Sequence, residues 1–283
     1  MAEIREIDVA AVTDQIRDMC IHANYHLSED MCDQLERAEA AESSALGKQI
    51  LGQLQENLSI AGRGNVPICQ DTGMATIFLD IGQNVHFTGG SLEDAVNEGV
   101  RQGYQEGYLR KSIVGDPLLR VNTNDNTPAV VHYSIVPGSN VSITVAPKGF
   151  GSENKSRLFM LTPADGEEGV IDAVLQTVQA AGPNACPPMV IGVGIGGNFE
   201  KCAEMAKRAL TLDTRGHSGL PHIRKLEEEI LSKINETGIG PAGLGGSTTA
   251  YSIRILTYAT HIAGLPVAVN ICCHVNRHET RVL

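Results

Sequence analysis

The chain has 283 residues, a hydrophobic content of 42% and a formal net charge of −11 at pH 7. This length permits one large domain or two closely packed ones, with a sizeable apolar core. The excess of acidic residues, without a long block of Lys or Arg, argues against a nucleic-acid partner. The amino-terminal residues lack the apolar run of a signal peptide, and no stretch is long and apolar enough to span a membrane, so we expect a cytoplasmic protein.

The amino-terminal part of the chain is predicted to be helical. Apolar residues recur at three- and four-residue spacing over residues 8–27 and again over residues 28–60, where the helix is either long or broken. A loop then leads through a cysteine motif into a predicted strand at residues 75–81. Ser91 begins a capping-box pattern, which predicts a helix to about residue 109 with two cations at its end.

The rest of the chain alternates predicted strands and helices. Strands at residues 129–136 and 141–146 are separated by Pro137-Gly138-Ser139-Asn140, which predicts a hairpin. Further helices are predicted at residues 167–181, 198–210 and 221–236, and further strands at residues 189–193, 251–260 and 266–271. We therefore expect an α+β fold, with a helical amino terminus followed by mixed β-sheets with flanking helices, in one domain over residues 1–283.

The number and context of the cysteines argue against a disulfide framework. There are seven of them, an odd number, and no secretion signal accompanies them. Most buried free cysteines act as small apolar residues. Cys20, Cys32 and Cys202 lie within helical patterns, so we expect these three to serve packing.

The remaining cysteines stand beside polar residues of a kind found at sites rather than in cores. Cys69 opens the run Cys-Gln-Asp-Thr-Gly, Cys186 lies in Asn-Ala-Cys-Pro-Pro, and the adjacent Cys272 and Cys273 precede His274. Successive strand residues point to opposite faces, so only one of the adjacent pair is expected to reach a shared site. Three thiolates would hold a four-iron cluster with one iron open to act as a Lewis acid, although spacing alone is a weak signal for it.

Three glycine-rich segments allow more than one interpretation. Residues 148–155 follow a strand and have the composition of either an anion-binding loop or a plain surface turn. Residues 192–197 match a dinucleotide fingerprint between a strand and a helix, but no second strand with an acidic end follows, so we do not favour nucleotide binding. Residues 238–249 are either a flexible linker or a backbone surface fitted closely around a ligand.

Several spaced motifs together carry a family resemblance. They are Cys-Gln-Asp-Thr-Gly at residues 69–73, Lys-Gly-Phe-Gly-Ser-Glu-Asn at 148–154, Asn-Ala-Cys-Pro-Pro at 184–188 with the glycines of 192–197, and Cys-His-Val-Asn-Arg-His at 273–278. Over essentially its whole length the chain resembles the class I iron–sulfur fumarate hydratases, and within them the alpha subunit of the two-subunit form, to which L-tartrate dehydratase alpha subunits are closely related. One departure is Phe150, where the family commonly has glycine.

The resemblance implies a site built around a four-iron four-sulfur (4Fe-4S) cluster. Cys69, Cys186 and Cys273 match the cluster ligands, with Cys273 chosen over Cys272 because it stands four residues before Arg277. The other matched positions are Gln70, Asp71, Arg110 and Gly151 for substrate contact, and Asp71 paired with His261 for catalysis.

The resemblance also implies an activity and a partner. The activity is reversible hydration of fumarate to L-malate, and L-tartrate dehydration is the sibling alternative because both reactions involve a dicarboxylate with a leaving hydroxyl. The partner is a beta subunit that carries the remaining cations and the base, in an expected heterotetramer of two alpha and two beta chains. A cluster-bearing oxygen or iron sensor without turnover is the alternative from another class.

Overall fold

The computed structural model describes residues 4–283, which group into two units. Unit 1 comprises residues 4–28, 58–149 and 277–283, and unit 2 comprises residues 29–57 and 150–276. Each unit contains a four-stranded mixed sheet with helices packed against it, which confirms the predicted α+β class. That residues 1–283 form one domain of the family stays a prediction.

Helices and strands follow one another along the described chain. The helices are α1 (Val9–Tyr25), α2 (Glu29–Ala41), α3 (Ala45–Gly64), α4 (Leu92–Glu106), α5 (Phe150–Glu153), α6 (Gly166–Ala181), α7 (Phe199–Ala209) and α8 (Pro221–Glu236). The strands are β1 (Arg5–Asp8), β2 (Met74–Gly82), β3 (Val85–Thr88), β4 (Val130–Val136), β5 (Val141–Lys148), β6 (Arg157–Leu161), β7 (Met189–Gly196), β8 (Ala250–Tyr258), β9 (Leu265–Cys272) and β10 (Glu279–Val282). The predicted helix over residues 28–60 is therefore broken, at residues 42–44. Within residues 4–283, no helix combines the length and the apolar character that crossing a membrane requires.

The sheet of unit 1 has the strand order β10-β5-β2-β4. Strand β2 pairs in parallel with β4 and antiparallel with β5, so the predicted hairpin between residues 129–136 and 141–146 is wrong. Both segments are strands, but β2 lies between them. Because β2 is buried over most of its length, a central position satisfies its backbone groups on both sides, which an edge position would not.

Helices α1 and α4 pack together against the core of unit 1. The Ser91 hydroxyl accepts a hydrogen bond from the Asp94 N–H and caps α4, as predicted. A Cβ atom at Gly103 would stand 2.9 Å from the Arg17 carbonyl oxygen, so glycine allows α4 to approach the α1 backbone. Because α4 ends at Glu106, Arg110 lies beyond the helix rather than in its last turn.

The sheet of unit 2 has the strand order β6-β9-β7-β8. Alternate side chains of β7 and β9, among them Ile191 and Val269, pack with α6 and α8 on one face. Ala268 and α7 pack on the other face. Since β7 is antiparallel to β9, the segment before β7 and the segment after β9 lie at the same end of the sheet.

Helix packing accounts for Gly192 and Gly194, two of the four glycines of residues 192–197. A Cβ atom at Gly192 would stand 2.1 Å from the Ala206 carbonyl oxygen, and one at Gly194 would stand 2.1 Å from the Cys202 carbonyl oxygen. Glycine is therefore needed for α7 to lie this close to β7. This contact explains the dinucleotide-like pattern as a packing feature.

Candidate active site

The loop of residues 69–73 leads into β2 and is anchored within unit 1 by buried donors. The Tyr104 hydroxyl donates hydrogen bonds to the carbonyl oxygens of Thr72 and Gly73, at 2.7 and 3.1 Å. The Asn126 side-chain amide donates to the Gly73 carbonyl at 3.2 Å. Because Tyr104 and Asn126 are fully buried, these bonds fix the backbone at the end of the loop.

Arg277 also holds this loop, from the carboxy-terminal end of the chain. Its side chain is 3% exposed, and its guanidinium donates to the Asp71 carbonyl at 2.6 Å and to Asn24 Oδ1 at 3.1 Å. Burying a guanidinium costs free energy unless its N–H groups are hydrogen-bonded. The bond from Arg277 therefore restrains the position of the Asp71 carbonyl. In the sequence, Arg277 serves only to distinguish Cys273 from Cys272, but its place in the 273–278 motif is the signal for this second role.

The Asp71 carboxylate is half-buried and stands next to a glycine. Its Oδ1 accepts a hydrogen bond from the Gly73 N–H at 3.1 Å. A Cβ atom at Gly149 would stand 3.0 Å from Asp71 Oδ2, which is tighter than ordinary van der Waals contact. The predicted loop of residues 148–155 therefore begins beside the predicted catalytic carboxylate, and glycine at 149 is what allows this approach.

Arg110 is tied to the same loop through the hydroxyl of Thr72. The Arg110 N–H donates to Thr72 Oγ1 at 2.9 Å, and that hydroxyl donates to the Arg110 carbonyl at 3.3 Å. Thr72 is buried, whereas the side chains of Arg110 and Gln70 are exposed. Unit 1 thus brings the backbone of Arg110 to the loop that carries Gln70 and Asp71, and leaves the Arg110 side chain exposed.

Unit 2 brings Cys186 and Cys273 to one end of its sheet. Cys272, the last residue of β9, pairs with Val190 near the start of β7. The Cys186 carbonyl accepts a hydrogen bond from the His274 N–H at 3.2 Å and lies 3.0 Å from His274 Nδ1. Cys186 adopts a left-handed conformation, φ 51° and ψ 64°, which is uncommon for a residue with a side chain and here accompanies an exposed thiol.

The seven cysteines, none of which forms a disulfide, differ in burial. Cys20, Cys202 and Cys272 are buried, Cys32, Cys69 and Cys273 are half-buried, and Cys186 is exposed. Burial raises the pKa of the Cys20 thiol to about 12, so this group stays neutral and unreactive. Two of the three cysteines expected to serve packing, Cys20 and Cys202, are buried. The three motif cysteines all retain some exposure.

The glycine-rich loop (residues 238–249) is held by Glu42, which the sequence analysis missed. The Glu42 carboxylate is 1% exposed and accepts hydrogen bonds from the backbone N–H groups of Ser44, Ser247 and Thr248, at 2.9, 2.8 and 2.9 Å. Burial acts to raise the pKa of Glu42, but the hydrogen bonds outweigh burial and lower this pKa to about 2. No local pattern indicates this role, because Glu42 lies between two helices, 205 residues before Ser247.

The glycine-rich loop packs in turn on the segment that carries Cys186. The Ala242 N–H donates to the Pro187 carbonyl at 2.9 Å. A Cβ atom at Gly243, whose φ is +76°, would stand 2.3 Å from Pro183 Cβ. The loop is therefore a closely fitted backbone surface rather than a flexible linker, but it fits a segment of the same chain, whereas the prediction named a ligand.

Phe150 and Gly151, the first two residues of unit 2, are both exposed. Phe150 lies in the single turn of α5 and is 47% exposed, so the departure from glycine is accommodated by pointing the ring outward. A Cβ atom at Gly151 would meet no atom within 4 Å. The fold of unit 2 therefore does not itself require glycine at 151.

His261 does not join the cysteines of unit 2. It follows β8 and precedes β9, whereas Cys273 follows β9 and Cys186 precedes β7, so His261 lies at the opposite end of the sheet. A strand of eight residues spans roughly 25 Å. His261 is exposed, and its Nδ1 accepts a hydrogen bond from the Ala263 N–H at 3.2 Å. Its pairing with Asp71 stays a prediction.

The thiols suit a cluster better than a single metal ion. Within residues 4–283, no three His, Cys, Asp or Glu side chains converge on one metal-ion position. In a four-iron cluster each cysteine binds a different iron, so the thiols need not converge in that way. Cys186 and Cys273 lie at one end of the unit 2 sheet with some exposure, and Cys69 also retains some exposure. Thiolates are the ligands that such a cluster takes, so the residues present fit this group.

Comparisons with known proteins agree over nearly the whole chain. The family model described as fumarate hydratase (Fumerase) matches residues 13–282. A putative L(+)-tartrate dehydratase subunit alpha from Methanocaldococcus jannaschii is 38% identical over 276 residues, covering 95% of this chain and 96% of that protein. The L(+)-tartrate dehydratase subunit alpha of Escherichia coli strain UTI89 is 30% identical, covering 96% of this chain and 90% of that protein.

Proposed function

This chain belongs to the fumarate hydratase (Fumerase) family, and we propose that it is the alpha subunit of an iron–sulfur hydro-lyase that interconverts fumarate and L-malate. The observation that carries this proposal is the neighbourhood of the 69–73 loop. There, the half-buried Asp71 carboxylate accepts a hydrogen bond from the Gly73 N–H, and the Thr72 hydroxyl binds the backbone of Arg110, whose guanidinium is exposed. A hydro-lyase acting on dicarboxylates requires a carboxylate that can accept a proton and a cation that can bind a carboxylate, and this loop and its neighbour supply one of each.

The proposed cofactor is a 4Fe-4S cluster held by Cys69, Cys186 and Cys273. Support comes from the accessibility of these thiols, none of which forms a disulfide, and from the burial of Cys272. When bound, such a cluster keeps one iron open, and this iron supplies Lewis acidity toward the substrate hydroxyl.

The protein's own residues bind the substrate and move a proton. We assign one substrate carboxylate to Arg110, whose guanidinium makes charge-assisted hydrogen bonds, and further polar contacts to Gln70 and the backbone of Gly151. Asp71 accepts or returns a proton, because its carboxylate is oriented by the Gly73 N–H. His261 is proposed as the partner of Asp71 from the family resemblance alone, since its position in unit 2 offers no support.

A beta subunit is proposed to complete the site. A dicarboxylate needs a cationic partner for each of its two carboxylates. In the part of unit 1 that surrounds residues 69–73, the exposed Arg110 guanidinium can bind only one of the two. The neighbouring segment of residues 108–121 exposes several large apolar side chains, a feature typical of contact surfaces. These are Tyr108, Leu118, Leu119 and Val121. Both observations support docking of a partner chain near Arg110, in a heterotetramer of two alpha and two beta chains.

L-tartrate is the second candidate substrate. It is favoured by the names of the relatives, which are L(+)-tartrate dehydratase alpha subunits. Fumarate is favoured by the description of the family. L-malate and L-tartrate are four-carbon dicarboxylates that differ by one hydroxyl, so Arg110 and Asp71 suit either.

The deciding experiment is an anaerobic assay of the alpha chain with its beta chain after cluster reconstitution. We expect turnover of fumarate and L-malate by the complex and none by the cluster-loaded alpha chain alone. Turnover of L-tartrate in place of fumarate would select the second candidate. A full cluster with no turnover of any of the three acids would favour the sensor alternative, and robust turnover by the alpha chain alone would refute the two-subunit proposal.

Arg110→Gln sharpens the assay, with Lys111→Gln as the matched control on the next residue. Loss of a charge-assisted hydrogen bond of about 1.5–3 kcal/mol should raise KM roughly tenfold to a hundredfold. The exposed Lys111 has no assigned role, so its variant should keep the normal KM. Equal effects in the two variants would remove Arg110 from substrate binding.

A further inference from the structure

Tyr251 carries a buried hydroxyl that the fold itself does not use. Its side chain is 7% exposed, and within residues 4–283 its Oη has no hydrogen-bond partner. Leaving a buried hydroxyl unsatisfied costs about 1–3 kcal/mol, whereas a phenylalanine would fill the same space without that cost. A buried hydroxyl without a partner indicates a hydrogen-bond acceptor that residues 4–283 do not supply in this structure.

A β-bulge sets the position of Tyr251. Ala250 pairs with Met189 and Ser252 pairs with Val190. Tyr251 is therefore the extra residue on β8 and has no paired residue on β7. Bulges reorient a side chain and are frequent beside active sites. The structure therefore departs from regular pairing at the residue whose hydroxyl lacks a partner.

The bulge lies at the end of the sheet that carries both cysteines of unit 2. Met189 follows Cys186 by three residues, and Val190 pairs on its other side with Cys272, the residue before Cys273. Burial raises the pKa of Tyr251 well above its usual range, and the negative charge of a Cys273 thiolate raises it further. Ser252 and Cys272 pair with the same residue, Val190, so Tyr251 and Cys273 lie near each other across β7.

We propose that the Tyr251 hydroxyl donates a hydrogen bond to Cys273 Sγ when that sulfur is a thiolate ligand of the cluster. The proposal rests on the function proposed above. A neutral thiol is a weak acceptor, and here the Cys273 thiol is itself a donor, to the Val275 carbonyl at 3.8 Å. Ligation removes this thiol proton and leaves negative charge on sulfur, which makes Sγ a stronger acceptor for the waiting hydroxyl. Tyr251 is then a positioning residue that tunes the cluster through its ligand.

The test is the reduction potential of the cluster in Tyr251→Phe, measured by anaerobic redox titration followed by absorbance and electron paramagnetic resonance. Hydrogen bonds to ligating sulfur stabilise the more negative, reduced cluster, so removing this one should shift the midpoint potential to a lower value at unchanged iron content. Tyr258→Phe is the matched control, because Tyr258 lies on the same strand but is 59% exposed. It should leave the potential unchanged.

An unchanged potential in a fully loaded Tyr251→Phe protein would overturn the proposal. If that variant fails to load, 3-fluorotyrosine introduced only at position 251 keeps the hydroxyl and makes it a stronger donor. The midpoint potential should then rise, and no rise would overturn the proposal equally. A wild-type chain that takes up no cluster at all would instead refute the proposed function, so the two failures are distinguishable.

Discussion

The loop of residues 69–73 in unit 1 and the glycine-rich loop in unit 2 are both held by a buried charged side chain, but the charges are opposite. In unit 1, Arg277 donates to a backbone carbonyl, at Asp71. In unit 2, Glu42 accepts from backbone N–H groups, at Ser247 and Thr248. Each device fixes a backbone, and in unit 1 it leaves the side chains of Gln70 and Asp71 more exposed than Arg277.

The difference in charge makes the two loops respond differently to acid. A guanidinium keeps its charge at every pH at which proteins fold. The Glu42 carboxylate loses its charge when it is protonated, and its pKa of about 2 in the folded protein is lowered from an ordinary 4.5. Its stabilising effect is therefore fully present above pH 4.5 and is lost as the pH falls toward 2. We expect acid to loosen the loop in unit 2 before the Arg277 contact in unit 1.

The largest expected effect concerns the cysteines at the end of the unit 2 sheet. Cys186→Ser and Cys273→Ser should each abolish the visible iron–sulfur absorbance, because each removes a proposed ligand thiolate. Cys272→Ser is the matched control, since no ligand role is proposed for this buried neighbour and its variant should retain the absorbance. Loss in Cys272→Ser with retention in Cys273→Ser would reverse the assignment.

Asp71→Asn tests the chemistry of the unit 1 loop separately from its backbone. The amide oxygen can still accept from the Gly73 N–H, and the bond from Arg277 to the backbone carbonyl is untouched. We therefore expect normal cluster content and stability with kcat reduced at least about a hundredfold, the lower range for general acid–base catalysis. A near-normal kcat would remove Asp71 from proton transfer.

The predicted partnership of Asp71 with His261 can be tested by a double-mutant cycle. If the two groups act as a unit, Asp71→Asn combined with His261→Gln should be little worse than Asp71→Asn alone. Multiplication of the two separate losses in kcat would indicate independent roles. That outcome would agree with the distance of His261 from Cys186 and Cys273 within unit 2.

Glu42→Gln should lower the free energy of unfolding by about 3 kcal/mol at pH 7. A stabilisation of about 3 kcal/mol corresponds to lowering the pKa of Glu42 from 4.5 to about 2. The difference in stability between wild type and variant should diminish between pH 4.5 and pH 2. Chemical denaturation at several pH values measures it, with the exposed Glu56→Gln as control, which should stay within about 0.5 kcal/mol of wild type. A loss independent of pH would mean that the carboxylate charge does not hold the glycine-rich loop.

Thr72→Val should have the smallest effect. Removing the hydroxyl that bonds the Arg110 N–H and carbonyl should cost about 1–2 kcal/mol of stability, because these backbone groups lose their partner. If the hydroxyl also positions Arg110, KM for the dicarboxylate should rise while kcat stays near normal. A stability loss without any change in KM would limit Thr72 to a structural role.

The sequence by itself determined the class of fold, most helices and strands, and the cysteines worth attention, because these depend on local spacing and on residue type. Strand neighbours were not determined, since pairing depends on which strands are buried on both sides; β2 therefore separates the two strands of the expected hairpin. Short strands such as β6 and β10 were missed because their pairing partners lie far away in the chain.

Only the tertiary structure decided which residues support the site. Arg277 reaches Asp71 across 206 residues and Glu42 reaches Ser247 across 205, and no local pattern encodes a contact of that separation. Tyr251 became informative only when its burial and the bulge in β8 were known. Motif chemistry is local and can be read along the chain, whereas the satisfaction of buried polar groups is a property of the folded whole.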